Sequence, residues 1–147
     1  MNRGYGLYLA WQVALVATGG SLYFSEIREF VPCVMCWYQR ILMYPLALIL
    51  GMASYRQDFR IIPYALPFSV LGILVSATHY MQQKIPGFGG VGACNVGVPC
   101  NVEYINWLGF ITIPFLALTA FVLISVLLVM SRRAGDEPVR TARATAG

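Results

Sequence analysis

The chain has 147 residues, 59% of them hydrophobic and only 11% charged, with a mean hydropathy of +0.67. That composition excludes an ordinary soluble domain, and the length leaves room for one domain only. The formal charge of +4 does not point to nucleic acid, because in so apolar a chain it is the distribution of basic residues that carries information.

Four apolar runs, residues 7–24, 37–53, 61–77 and 108–130, each come near the roughly 17–25 residues that a helix needs to cross a bilayer. The expected fold is all-α, an integral membrane four-helix bundle over residues 1–131. Outer loops fall at 25–36 and 80–106, and a cytoplasmic tail expected to lack order spans 132–147. Seven of the ten basic residues, Arg3, Arg56, Arg60, Arg132, Arg133, Arg140 and Arg143, fall at the N-terminus, the middle turn and the tail. Arg28, Arg40 and Lys84 fall on the opposite side. The positive-inside rule therefore predicts a multi-pass membrane protein with both termini cytoplasmic. All four cysteines then lie on the extracytoplasmic side, where disulfides persist.

The first run opens with Tyr5, Tyr8 and Trp11 and closes with Tyr23 and Phe24, as expected of aromatic belts at two interfaces. Its apolar character continues too far for a cleavable signal peptide, so an uncleaved first helix is expected. The short loop that follows leads into Pro32-Cys33-Val34-Met35-Cys36-Trp37-Tyr38-Gln39-Arg40. A Cys-x-x-Cys at a helix start is a recurrent redox arrangement, because the helix N-terminus stabilises a thiolate. Arg40 follows Cys36 by one helical turn and shares its face. It either snorkels to lipid phosphate or supports thiolate and acceptor charge beside the sulfur.

Pro45 is expected to kink the second helix, and Pro63 and Pro67 mark the start and a bend of the third. Near the outer end of the third helix stands His79, the only histidine. Either it is a hydrogen-bonded interfacial group, or it exchanges protons with a bound acceptor. Residues 81–85 are expected to lie as an interfacial turn ended by Pro86. The glycine-rich piece 87–92 has no Gly-Lys-Ser/Thr ending and is not a phosphate loop. It leads into Cys94 and Cys100, separated by Gly97 and Pro99, which favour a chain reversal and a small disulfide loop. The fourth run has no polar group that demands a catalytic explanation.

Two cysteine pairs on one face admit a redox relay, a pair of structural disulfides, or a metal site. Metal is the weakest, since the second Cys-x-x-Cys of a four-thiolate site is missing. A bridge at Cys33 and Cys36 closes too short a loop to act as an effective staple.

Pro-Cys-x-x-Cys-Trp-Tyr-Gln-Arg at the mouth of the second of four helices, with a cysteine pair in the second outer loop and Trp107-Leu108-Gly109-Phe110 opening the fourth helix, resembles the DsbB/BdbC family of disulfide-forming membrane oxidoreductases. The likeness runs from Leu7 to Met130, and the five residues between Cys94 and Cys100 are similar to the short-loop BdbC branch. The resemblance implies a membrane thiol-disulfide oxidoreductase that reoxidises an extracytoplasmic thioredoxin-like thiol oxidase of the DsbA/BdbD type and passes the electrons to menaquinone or ubiquinone. Carried over by position, Cys36 faces the quinone and Cys33 exchanges with the loop pair. Cys94 is attacked by the partner, and Cys100 is its resolving mate. Arg40 and His79 match quinone-site residues. The main rival is a tetraspan membrane scaffold with purely structural disulfides. A conduit of reducing equivalents from the cytosol lacks thiols on the inner side, and a vitamin K epoxide reductase type carries its active pair in a later helix.

Overall fold

A computed structural model describes residues 2–85, 87, 103 and 105–145, with the backbone alone described over 136–145. It contains four helices, α1 (Arg3–Leu22), α2 (Val34–Arg56), α3 (Ile62–Lys84) and α4 (Ile113–Thr145). All four have segments long and apolar enough to cross a membrane. α1 packs on α2 and α4, and α3 packs on the same two, so the bundle closes as a ring in chain order.

The core is a stripe from each helix. Leu7, Ala10 and Ala14 face Met43, Leu46, Leu50 and Ala53, with Ile62, Ala65, Phe121, Ile124 and Leu128 completing it. These positions recur at three- and four-residue steps, the period of one helical face. The opposite faces are apolar as well. Ile41, Leu48 and Leu74 are exposed, which in a bilayer is lipid contact and carries no penalty.

α3 and α4 approach closely at Gly72, where a Cβ would enter the Phe121 ring. Beside it Ser69 Oγ donates to the Phe121 carbonyl at 3.0 Å and also meets Ser125 Oγ. A small residue facing an aromatic ring lets two transmembrane backbones come together, and a buried hydroxyl adds an interhelical bond. Gly72→Leu is therefore expected to cost about 1–3 kcal/mol by overpacking. Thermal unfolding in detergent, followed by helical circular dichroism, checks this.

Several boundaries differ from the sequence reading for local reasons. α2 begins at Val34, ahead of the apolar run at 37, because Cys33 serves as an extended N-cap (φ −72°, ψ 172°). Pro45 and Pro67 lie inside α2 and α3. α3 runs past residue 77 to Lys84, in place of an interfacial turn at 81–85. Its last turns carry the buried polar residues His79 and Gln82, so the helix outlasts its apolar run. α4 begins at Ile113 instead of 108. Leu108 and Gly109 adopt left-handed φ values of 54° and 81° in a tight turn closed by Phe110 N donating to Trp107 O, and such a turn cannot belong to a helix. α4 continues through Thr145, past the apolar run that ends at 130.

The end of the bundle that carries Cys33 is tied together twice. The π-helical turn Tyr23–Ile27 prolongs α1, and Phe30 N returns to Phe24 O at 3.0 Å while their rings stack. Lys84 pairs with Glu103 at 2.9 Å and donates to Gly109 O at 2.9 Å. Cys94 and Cys100 lie outside the described residues.

Candidate active site: a dithiol between a histidine and an apolar cavity

Pro32 delivers the chain to the mouth of α2 in extended form, so that Cys33 caps the helix and Cys36 falls in its first turn. Trp37 N donates to Cys33 O at 3.1 Å and closes that turn. The two sulfurs, both thiols here, lie 3.0 Å apart. Cys33 is buried, and Cys36 is half-buried.

On one side of the pair stands His79. Its Nε2 is 3.5 Å from Cys33 Sγ, and its Nδ1 is 3.2 Å from Gln39 Nε2. The ring is 1% exposed. Hydrogen bonding to the Cys36 thiol is the largest cause that holds the Cys33 thiol well below its ordinary range. Burial works against it, and the His79 hydrogen bond adds to it. Cys33 is thus the more readily ionised thiol of the pair, at a helix N-terminus that also favours negative charge.

On the other side lies a cavity of about 560 Å³ between α1, α2 and α4. Cys36, Gln39 and Arg40 line it together with apolar side chains such as Val16, Met43, Leu116 and Phe121. A Cβ placed on Gly20, which also lines it, would meet nothing within 4 Å. The missing side chain is therefore part of the empty space. Arg40 Nη2 donates to Ser21 O at 3.2 Å and to Ser25 Oγ, and the guanidinium lies over the Trp37 ring at 5.6 Å. Ser21 lies in the last turn of α1 and Ser25 in the π turn that follows it.

The arrangement separates the expected site residues into two groups. Cys36 and Arg40, one turn apart on α2, both face the cavity, as their spacing suggests. His79 is not among the cavity-lining residues and contacts Cys33 instead. Gln39, Ser21 and Ser25 were not singled out from the sequence as site residues. The readable signal for Gln39 was a buried amide within a spanning segment, where polar groups carry a functional expectation. The two serines required the fold.

The sulfurs of Cys33 and Cys36 and a His79 ring nitrogen lie within 4.8 Å of one another. They would hold a thiophilic ion only with both cysteines reduced. The same geometry suits dithiol–disulfide exchange, with a stabilised thiolate beside a protonated partner and a proton-bearing ring.

Residues 5–131 match the family described as Disulfide bond formation protein DsbB. The chain belongs to the DsbB family. Among its curated relatives, Disulfide bond formation protein C of Bacillus subtilis is 58% identical over 88% of this chain and 94% of its own length. Probable disulfide formation protein C 1 of Bacillus anthracis is 54% identical, with 85% and 90% covered. Probable disulfide formation protein of Coxiella burnetii is 47% identical, with 88% of each chain covered. No solved structure matches the chain. Membership in the DsbB family agrees with a multi-pass helical bundle and with the dithiol at the mouth of α2.

Proposed function

We propose that this protein is a quinone-dependent thiol-disulfide oxidoreductase of a bacterial plasma membrane, supporting disulfide formation in secreted proteins. It reoxidises an extracytoplasmic thioredoxin-like thiol oxidase and disposes of the electrons in the bilayer. The observation that carries the reading is the placement of Cys36 and Arg40 on the wall of one apolar cavity of about 560 Å³. That volume lies within the range of small-molecule sites, and the walls suit a lipid-soluble ring with one or two polar oxygens. Membrane menaquinone or ubiquinone, when bound, supplies a two-electron, two-proton sink.

The protein's own residues divide the remaining work. Cys94 and Cys100 accept electrons from the partner dithiol, with Cys94 attacked and Cys100 resolving, and pass them to Cys33 and Cys36. Cys33, the stabilised thiolate, performs the exchange with the loop pair. Cys36 presents its sulfur to the cavity. Arg40, held from behind by Ser21 and Ser25, offers its remaining donors to an acceptor oxygen there. Both termini lie in the cytoplasm and the cysteines outside, in accord with the basic-residue distribution.

Gly20→Phe tests the cavity. The new ring enters open space, so the bundle is expected to fold as in the wild type. Quinone reduction should fall by about tenfold or more through a raised KM. Exchange between a reduced dithiol donor and the protein's disulfides should stay at its wild-type rate. Unchanged quinone kinetics in this variant would place the acceptor outside this cavity.

A further inference from the structure

Gln39 lies between the two halves of the site, lining the cavity while its amide reaches the far ring nitrogen of His79. It is 6% exposed, and it sits on α2 while His79 sits on α3. The amide nitrogen of a glutamine can only donate. At 3.2 Å from Nδ1 it therefore requires that Nδ1 be an acceptor, which in a neutral imidazole leaves the proton on Nε2. Nε2 is the atom that faces Cys33 Sγ at 3.5 Å. We infer that Gln39 is a positioning residue that fixes the His79 tautomer, so that Nε2–H always donates to the Cys33 sulfur.

The consequence follows from the two alternatives for the ring. With Nε2 protonated, His79 stabilises Cys33 as a thiolate. With Nδ1 protonated, Nε2 becomes an acceptor for a Cys33 S–H and stabilises the thiol instead. The same side chain would then act in the opposite sense, and the Gln39 amide on the far ring nitrogen decides which. The arrangement parallels the general rule that the hydrogen bond on one imidazole nitrogen sets the chemistry at the other. The inference rests on the reading that Cys33 is the exchanging thiolate. Among the described residues, the titratable or charged groups against the two sulfurs are Cys33, Cys36 and Arg40 on α2 and its N-cap, and His79 on α3.

His79 is the only histidine in the chain, so ¹⁵N-histidine labelling of the whole reduced protein in nanodiscs reports one ring. The expected spectrum shows the directly bonded proton at Nε2 and a bare Nδ1. This measurement needs no variant and no quinone. Gln39→Met keeps the length of the side chain and removes the donor. It is expected to mix the two tautomers and to move the pH midpoint of Cys33 alkylation upward by about one pH unit, with helical circular dichroism unchanged. A proton on Nδ1 in the wild type overturns the inference. So does a Gln39→Met protein in which either the ring spectrum or the Cys33 profile stays as in the wild type. If instead the tautomer is as expected and quinone reduction is absent, the quinone reading fails while this inference stands.

Discussion

Cys36→Ser is expected to abolish quinone reduction while leaving Cys33 reactive. Serine keeps the shape and a hydroxyl donor at hydrogen-bond range of Cys33 Sγ, now 3.0 Å from the Cys36 sulfur, but it cannot form the disulfide through which electrons leave. Cys36→Ala separates the two roles. The Cys36 hydrogen bond is the largest cause of the lowered Cys33 pKa, so its loss lets that pKa rise toward the ordinary thiol value. The sign is fixed. Cys33 alkylation in Cys36→Ala should require higher pH than in Cys36→Ser, and acid should quench it sooner. Alkylation rates across pH, read by mass spectrometry on the Cys33 peptide, check the order. An alanine variant as acid-tolerant as the serine variant would remove the Cys36 thiol as the group that stabilises the thiolate.

The second large effect is expected at Arg40. If the guanidinium only reached for lipid phosphate, lysine would serve as well, since both side chains snorkel. In the structure it is instead turned inward, bonded to Ser21 O and Ser25 Oγ at the cavity wall. Those bonds occupy one edge of a planar fork whose other donors remain for a ligand oxygen, a geometry that an ammonium does not reproduce. Arg40→Met is expected to lose about tenfold in kcat/KM for quinone, equivalent to about 1.4 kcal/mol. Arg40→Lys should lie between it and the wild type. Exchange between donor dithiol and the protein's disulfides precedes the quinone step and should be unaffected in both. Steady-state kinetics at limiting quinone, on protein shown to be folded, decide the matter. Wild-type kinetics in Arg40→Met would take the arginine out of the site.

Much of this site was legible because its parts share one helix. Cys33, Cys36 and Arg40 lie within eight consecutive residues, and helical spacing alone brings the last two to one face. The four spans were legible too, since bilayer thickness sets their length irrespective of packing. The orientation of His79 was not. Its partner lies 46 residues away in sequence, and whether its ring meets Cys33 or the cavity depends on how α3 packs against α2. The cavity itself leaves no linear trace. It is a property of three helices and of a missing side chain at Gly20, a residue that reads from sequence only as packing. Local backbone chemistry explains the boundary differences. A cysteine N-cap starts α2 before its apolar run, and left-handed Leu108 and Gly109 hold α4 back to Ile113.

In the proposed function, electrons collected at the dithiol leave through the cavity into quinone. The most direct measurement is the stoichiometry of an oxygen-free reaction in liposomes containing the purified protein, a reduced thioredoxin-like dithiol donor and either ubiquinone or menaquinone. The expected result is one quinol formed for each donor disulfide produced, with no quinol formed by the Cys36→Ser protein. Donor oxidation that stops after the protein's own disulfides are consumed, with no quinol from either quinone, would contradict it.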